Sequence, residues 1–140
     1  MILDGSEDLE IVTMDDIGYF PLEADHGLLY DWWKGCQAGT KVVGIRANGD
    51  VLGCLSLGDP FIEANIRQRS VADIWRDPTS FEQMRRKTEH LTGHCRACPH
   101  AARCKAGCAA MAYSATGDIY ENPYCIRNIE CREIIDQLEL

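Results

Sequence analysis

Long apolar runs are missing from this sequence. None approaches the ~20 residues that a membrane-spanning helix requires, so no membrane partner is expected. The N-terminus opens Met1-Ile2-Leu3 and turns acidic at once, without the basic region and apolar stretch of a secretory signal, which makes reducing cytoplasm the default compartment. Basic charge is also scarce: 14 Lys and Arg stand against 22 Asp and Glu, a formal charge of −8. That balance argues against a nucleic-acid partner, because phosphate binding relies on clustered cations. The local run Arg85-Arg86-Lys87 reads as a solvated helix face. There is no G-x-S-x-G, Walker or dinucleotide glycine pattern, no pair of carboxylates at a definable spacing, no internal repeat and no low-complexity segment. Acid–base catalysis by this chain alone therefore has no support.

What the sequence does have is cysteine. There are eight in 140 residues, and in a reducing compartment such a count points to metal or redox chemistry rather than disulfides. Four of them, Cys95, Cys98, Cys104 and Cys108, fall within fourteen residues in a C-x2-C-x5-C-x3-C run. A hydrophobic core has no need of thiols at such short, uneven intervals, whereas a soft metal centre needs several thiolates converging from a tight loop. Cys36, Cys54 and Cys125 lie outside this knuckle.

The composition is globular, with 46% hydrophobic and 26% charged residues, and the length suits one domain. Residues 1–30 read as a connector, with a short strand around Leu9, Ile11 and Val12 and a turn at Asp15–Gly18 before Pro21. Met1 fits an internal methionine of a longer protein as well as a true start. Trp32 and Trp33 are expected to cap a core, and Gly35 and Gly39 to relieve crowding around Cys36. Val42, Val43 and Ile45, then Asn48-Gly49, then Val51, Leu52 and Leu55, predict a β-hairpin with a two-residue turn. It would bring Cys36 within reach of Cys54. From Asp59-Pro60 the chain is expected to be helical, with Ser70 capping a short helix that carries Ile74 and Trp75. A second helix from Pro78 would bear Phe81, Met84 and Leu91 and stop at Gly93. Ala109–Tyr113 predicts a helix ended by Gly117-Asp118. Residues 127–140 read as an amphipathic closing helix with Cys131, Ile134, Ile135 and Leu138 on one side.

Since one metal or cluster takes about four protein thiolates, seven cysteines imply two centres. Cys95, Cys98 and Cys104 wrap one point. Cys108 is carried onward by the chain, and in ferredoxin-like runs a cysteine three residues beyond the loop ligates the neighbouring cluster. Cys95, Cys98, Cys104 and Cys125 are therefore assigned to one centre, and Cys36, Cys54 and Cys108 to the other. The interleaving makes both part of a single folding unit, so loss of either metal is expected to damage the whole domain. The expected fold is α+β: a small metal-cluster domain with a β-hairpin, several short helices and two interleaved cysteine-ligated centres. His90, His94 and His100 crowd the knuckle and read as surface or supporting residues, since thiols suffice.

Cys36, Gly49, Cys54, the 95–108 run and Cys125, together with Gly35-Cys36-x-Ala38-Gly39, Asn48-Gly49-Asp50-Val51, Asn65-Ile66-Arg67, Ser70, Ile74-Trp75 and Gly107-Cys108, resemble the SPASM domain of radical SAM enzymes over about residues 31–126. The resemblance implies two auxiliary iron–sulfur clusters of the four-iron, four-sulfur type. The first would be held by Cys36, Cys54 and Cys108, the second by Cys95, Cys98, Cys104 and Cys125. It further implies a radical SAM core domain, fused or separate, and a peptide or protein substrate. The module's task would be electron transfer and substrate docking.

The chain departs from the family pattern in two ways. No cysteine lies just before Cys36, where Tyr30 and Asp31 stand, so the fourth position of the first cluster is open to substrate, to a carboxylate or His, or to Cys131, whose plainer reading is a small apolar residue on the last helix. The C-x3-C-x2-C triplet that cleaves S-adenosylmethionine is absent: Cys104 and Cys108 have the first gap, but Met111 stands in the third place. The radical step would thus belong to a partner. The competing reading is a zinc-stabilised interaction module, because C-x2-C spacing alone does not separate zinc from iron.

Overall fold

The computed structural model describes residues 34–138. The expected strand at residues 9–12, the connector over 1–30, and Trp32 and Trp33 lie outside them. Among the described residues no helix is long and apolar enough to cross a membrane.

A three-stranded antiparallel sheet, β1 (Gly44–Ile45), β2 (Asp50–Leu52) and β3 (Ile62–Asn65), occupies the first part, in the order β1-β2-β3. The predicted hairpin is present, with Gly44 opposite Leu52 and Ile45 opposite Val51. Its turn differs from the expected two-residue form. Gly49 N–H donates to Arg46 O at 2.9 Å and Arg46 N–H to Asp50 O at 2.8 Å, and Gly49 has φ +95° while Asn48 does not enter the left-handed region. This is a three-residue loop with a glycine bulge, and only Gly49 needs its conformational freedom.

β3 replaces the helix expected from Asp59-Pro60. A single 3-10 turn over Asp59–Phe61 seats Phe61 in the core, and Ile62–Asn65 then pairs with β2 across a bulge at Val51/Leu52. Side-chain amides tie the sheet end: Asn65 Nδ2 donates to Asp50 Oδ1 at 2.9 Å and to Asn48 O at 3.2 Å. Those bonds favour strand pairing over the helix expected from the sequence.

Helix α1 (Val71–Arg76) is capped as expected, with Asp73 N–H donating to Ser70 Oγ at 3.1 Å and Ser70 Oγ–H to Asp73 Oδ2 at 2.7 Å. The helix predicted from Pro78 to Gly93 is broken. α2 (Glu82–Arg85) is one turn, preceded by Phe81 at φ +59°, and a 3-10 turn follows over Lys87–Glu89. Phe81, Met84 and Leu91 are all buried nonetheless. Gly93, the expected stop, opens α3 (Gly93–Arg96) instead.

The basic run is not a solvated face. Arg85 lies over the rings of Trp75 and Phe81, at 5.1 and 5.2 Å from their centroids, and donates to Gly39 O, Asp77 O and Trp75 O at 3.0, 2.9 and 2.7 Å. Lys87 is 1% exposed. Only Arg86 faces solvent, between Glu82 and Glu89.

α4 (Ala101–Cys104), α5 (Ala109–Thr116) and α6 (Ile126–Leu138) complete the chain. Gly117, at φ +75°, ends α5 as predicted. α6 is present, with none of its residues fully buried and Arg127, Asn128, Glu130 and Cys131 half-buried. The main core joins Val51, Leu52, Phe61, Ile74, Phe81 and Met84 with Ala109 and Ile119. A second, smaller core holds Leu91, Cys95 and Ala106 with Ala101 against it.

Candidate metal centre

Cys36 and Cys54 flank the open end of the hairpin, both half-buried against the same core. Close backbone approaches place them. A Cβ on Gly53 would sit 2.9 Å from Gly39 N, so β2's exit presses on the loop after Cys36. A Cβ on Gly35, at φ +77°, would collide with the carbonyl oxygens of Arg103 and Cys104. That approach seats the Cys36 segment directly on the knuckle.

The knuckle turns sharply between its last two thiols. α4 ends at Cys104, and Lys105, Ala106 and Gly107 follow with φ of +55°, +54° and +62°. Cys108 then stands at the N-terminus of α5, whose first residue, Ala109, is wholly buried in the main core. Cys104 and Cys108 therefore do not share a helix. A left-handed reversal hands the chain from the small core to the large one between them. Each non-glycine residue in that region costs roughly 1 kcal/mol, so the reversal has to be held by its surroundings.

Cys95 is buried in the small core, and burial pushes its thiol up to about 11, with Cys125, Cys104 and Glu121 acting in the same direction and a hydrogen bond from the Asn122 backbone opposing. Burial likewise pushes the Cys125 thiol up, against backbone hydrogen bonds from Asn128 and Arg127, with Cys98 nearby adding to the rise. His100 N–H donates to Cys98 Sγ at 3.4 Å. Cys95 thus feels Cys125 and Cys104, Cys125 feels Cys98, and backbone N–H groups meet the sulfurs of Cys95, Cys98 and Cys125. Among the described residues no disulfide forms, and no three Cys, His, Asp or Glu side chains are gathered closely enough for a single ion. Cys131 lies half-buried on α6.

The donor set suits a thiophilic group. It is all sulfur, its deepest members sit in apolar surroundings, and N–H groups are aimed at the sulfurs, the pattern by which a protein holds an iron–sulfur cluster.

Three side chains around it escaped the sequence reading. Glu121 Oε1 accepts from His94 N–H at 3.1 Å and lies 2.6 Å from His94 Nδ1, while His94 Nε2 is 3.4 Å from Cys95 Sγ. Asn122 is buried, and its Oδ1 accepts from Tyr124 N–H at 2.9 Å, shaping the approach to Cys125. Lys87 Nζ donates to Gly107 O at 3.3 Å. Lys87 had a signal: it falls at helical spacing between Met84 and Leu91, on the apolar stripe. His90 packs on Tyr120, with ring centroids 5.7 Å apart, and is exposed.

A small α+β fold that carries cysteines against both of its cores presents a thiolate-rich donor set. Residues 36–99 match the family model of SPASM, an iron–sulfur cluster-binding domain. Relatives extend the likeness. The chain is 40% identical over 94 residues to the AdoMet-dependent heme synthase of Methanosarcina barkeri, covering 66% of this chain and 26% of that protein. It is 33% identical over 100 residues to the PqqA peptide cyclase of Xanthomonas euvesicatoria, covering 68% and 27%, and 30% identical over 95 residues to the pre-heme d1 synthase of Dinoroseobacter shibae, covering 66% and 23%. The chain thus matches about a quarter of the length of each.

Proposed function

We propose that this chain is the auxiliary module of a radical SAM enzyme and holds two iron–sulfur clusters, one on Cys95, Cys98, Cys104 and Cys125 and one on Cys36, Cys54 and Cys108. The observation that carries the split is the left-handed reversal at Lys105–Gly107. It leaves Cys95 in the small core and sets Cys108 at the head of α5, whose Ala109 shares the large core against which Cys36 and Cys54 pack. Bound there, clusters of four-iron, four-sulfur type supply one-electron transfer and, at an iron without a fourth thiolate, a position for substrate. The chain's own part is to keep water off the buried sulfurs and to aim the N–H groups of His100, Asn122, Arg127 and Asn128 at them.

The partner is a radical SAM core domain, fused or separate. The substrate read from the family pattern is a peptide or protein, which the likeness to a peptide cyclase supports. A tetrapyrrole is the second reading, favoured by the 40% identity to a heme synthase.

Anaerobically purified protein should contain iron and acid-labile sulfide near eight of each per chain, from about four of each per cluster, and absorb broadly in the visible. Colourless protein with one or two zinc ions and no sulfide in an oxygen-free preparation would sink the cluster reading in favour of a zinc module. Cys108→Ala should deplete the Cys36 centre and spare the Cys95 centre; equal loss of both counts against the split.

A further inference from the structure

Lys87 is among the largest fully buried side chains, 1% exposed. Its Nζ donates to Gly107 O, between Cys104 and Cys108. Among the described residues no carboxylate forms an ion pair with it. Burial pushes the Lys87 ammonium down from its usual value, and the charges that oppose this, largest first, are those of Cys36, Cys104, Cys108 and Cys95, drawn from both proposed ligand sets. A buried ammonium without a counter-ion is strongly unfavourable, and lysines are almost never fully buried unpaired. A site that tolerates one must supply negative charge from another source. The thiolates of those four cysteines, once they ligate a cluster, would supply it.

We infer that Lys87 is the shared counter-charge of the two centres: a fixed cation, wedged where the large and small cores meet, that offsets the negative charge of both thiolate sets and thereby holds both reduction potentials up. The inference rests on the cluster reading and adds a role to a residue outside the cysteine pattern. Adding an electron to an already anionic cluster is easier beside a buried cation, so removing the charge should make both centres harder to reduce. Lys87 acts through the cysteines and their clusters and is a positioning residue in that sense.

The test compares wild type, K87M and K87R as full chains reconstituted anaerobically with iron and sulfide. Iron and sulfide content and the midpoint potential of each centre are followed by spectroelectrochemistry and electron paramagnetic resonance. Methionine keeps roughly the length and apolar stem and removes the charge, whereas arginine keeps the charge and adds bulk. The expected result is that K87M shifts both midpoints to more negative values while K87R keeps them near wild type. If K87M fails to load, loading by K87R supports the same conclusion, because charge and not volume is then what the site requires.

Unchanged midpoints in loaded K87M, or a shift confined to one centre, would overturn the shared role. Failure of both variants to load assigns the position to packing and also overturns it. A wild-type chain that takes up no iron defeats the cluster reading itself, an outcome distinct from wild type loading normally and K87M matching it.

Discussion

The hairpin side and the knuckle side of this molecule both carry cysteines, yet different forces hold them. Cys36 and Cys54 rest on a core in which Val51, Leu52, Ile74 and Phe81 are completely buried, clamped by the Arg85 guanidinium across three backbone carbonyls. The knuckle has only Leu91, Cys95 and Ala106 at its centre, and one of those is itself a candidate ligand. A region with so little apolar surface to bury recovers little of the conformational entropy lost on ordering. The hairpin side is built to fold by burial, whereas under the proposed cluster reading the knuckle side depends on what its thiols bind.

Metal removal is the strongest way to break that comparison, since a bound structural metal contributes on the order of 10 kcal/mol in small metal domains. Chelation under anaerobic conditions should strip amide protection from residues 92–108 and 120–131 first, while β1–β3 and α1 keep theirs. Uniform loss along the chain, read by hydrogen exchange, would instead support the single folding unit expected from the interleaved cysteines. Uptake should also depend on pH. Cys95 is held at about 11 and Cys125 above its usual value by burial, so both are protonated at neutral pH in the metal-free chain and must release protons to ligate. Zinc, used as a probe, should bind more weakly as pH falls, roughly tenfold per pH unit for each proton released. A pH-independent affinity between about 6 and 9 would show that these thiols are not the ligands.

Phe81→Ala addresses the other region. Phe81 is fully buried against Trp75, with centroids 5.7 Å apart, and under Arg85. Its truncation should cost about 3–5 kcal/mol. The loss should show in the melting of loaded and metal-free protein alike. A loss confined to the loaded form would mean that the hairpin side also relies on its cofactor.

The sequence made different amounts of these two regions legible. Alternating β-branched residues around Asn48-Gly49 announced the hairpin, and Ser70 with Asp73 announced α1, because short-range hydrogen bonding settles both. β3 was missed because Ile62–Asn65 has no alternation of its own and is held by Asn65 reaching back to Asp50 and Asn48, 15 and 17 residues away. The helix carrying Phe81, Met84 and Leu91 kept its buried stripe but not its continuity, since Phe81 takes a left-handed conformation that only tertiary packing sustains. The cysteines proposed as ligands stood out by their spacing. Lys87 was not, because a lysine inside a charge run reads as solvated unless its place on the apolar stripe is weighed above its charge.

Gly35→Ala tests the joint between the regions. At φ +77° an alanine is strained by roughly 1 kcal/mol, and its Cβ would meet the carbonyls of Arg103 and Cys104, so the Cys36 segment has to lift from the knuckle. The total cost should fall between that strain and about 3 kcal/mol, the range of common destabilising substitutions. Iron in the Cys36 centre should fall more than iron in the Cys95 centre. Equal loss would show that Gly35 serves the knuckle's own shape rather than the joint.

Ser70→Ala has the smallest expected effect and the cleanest localisation. Ser70 Oγ accepts the Asp73 N–H and donates to the Asp73 carboxylate, so alanine leaves an N-terminal donor of α1 unsatisfied at a cost of about 1 kcal/mol. α1 contributes Ile74 to the large core and none of the residues that form the small one. Melting of the hairpin side should drop by a few degrees, as expected for about 1 kcal/mol in a domain of this size, with iron at the Cys95 centre unchanged. A matching loss of knuckle iron would mean that stability flows from the large core into the small one, and that the two regions differ in degree rather than in what holds them.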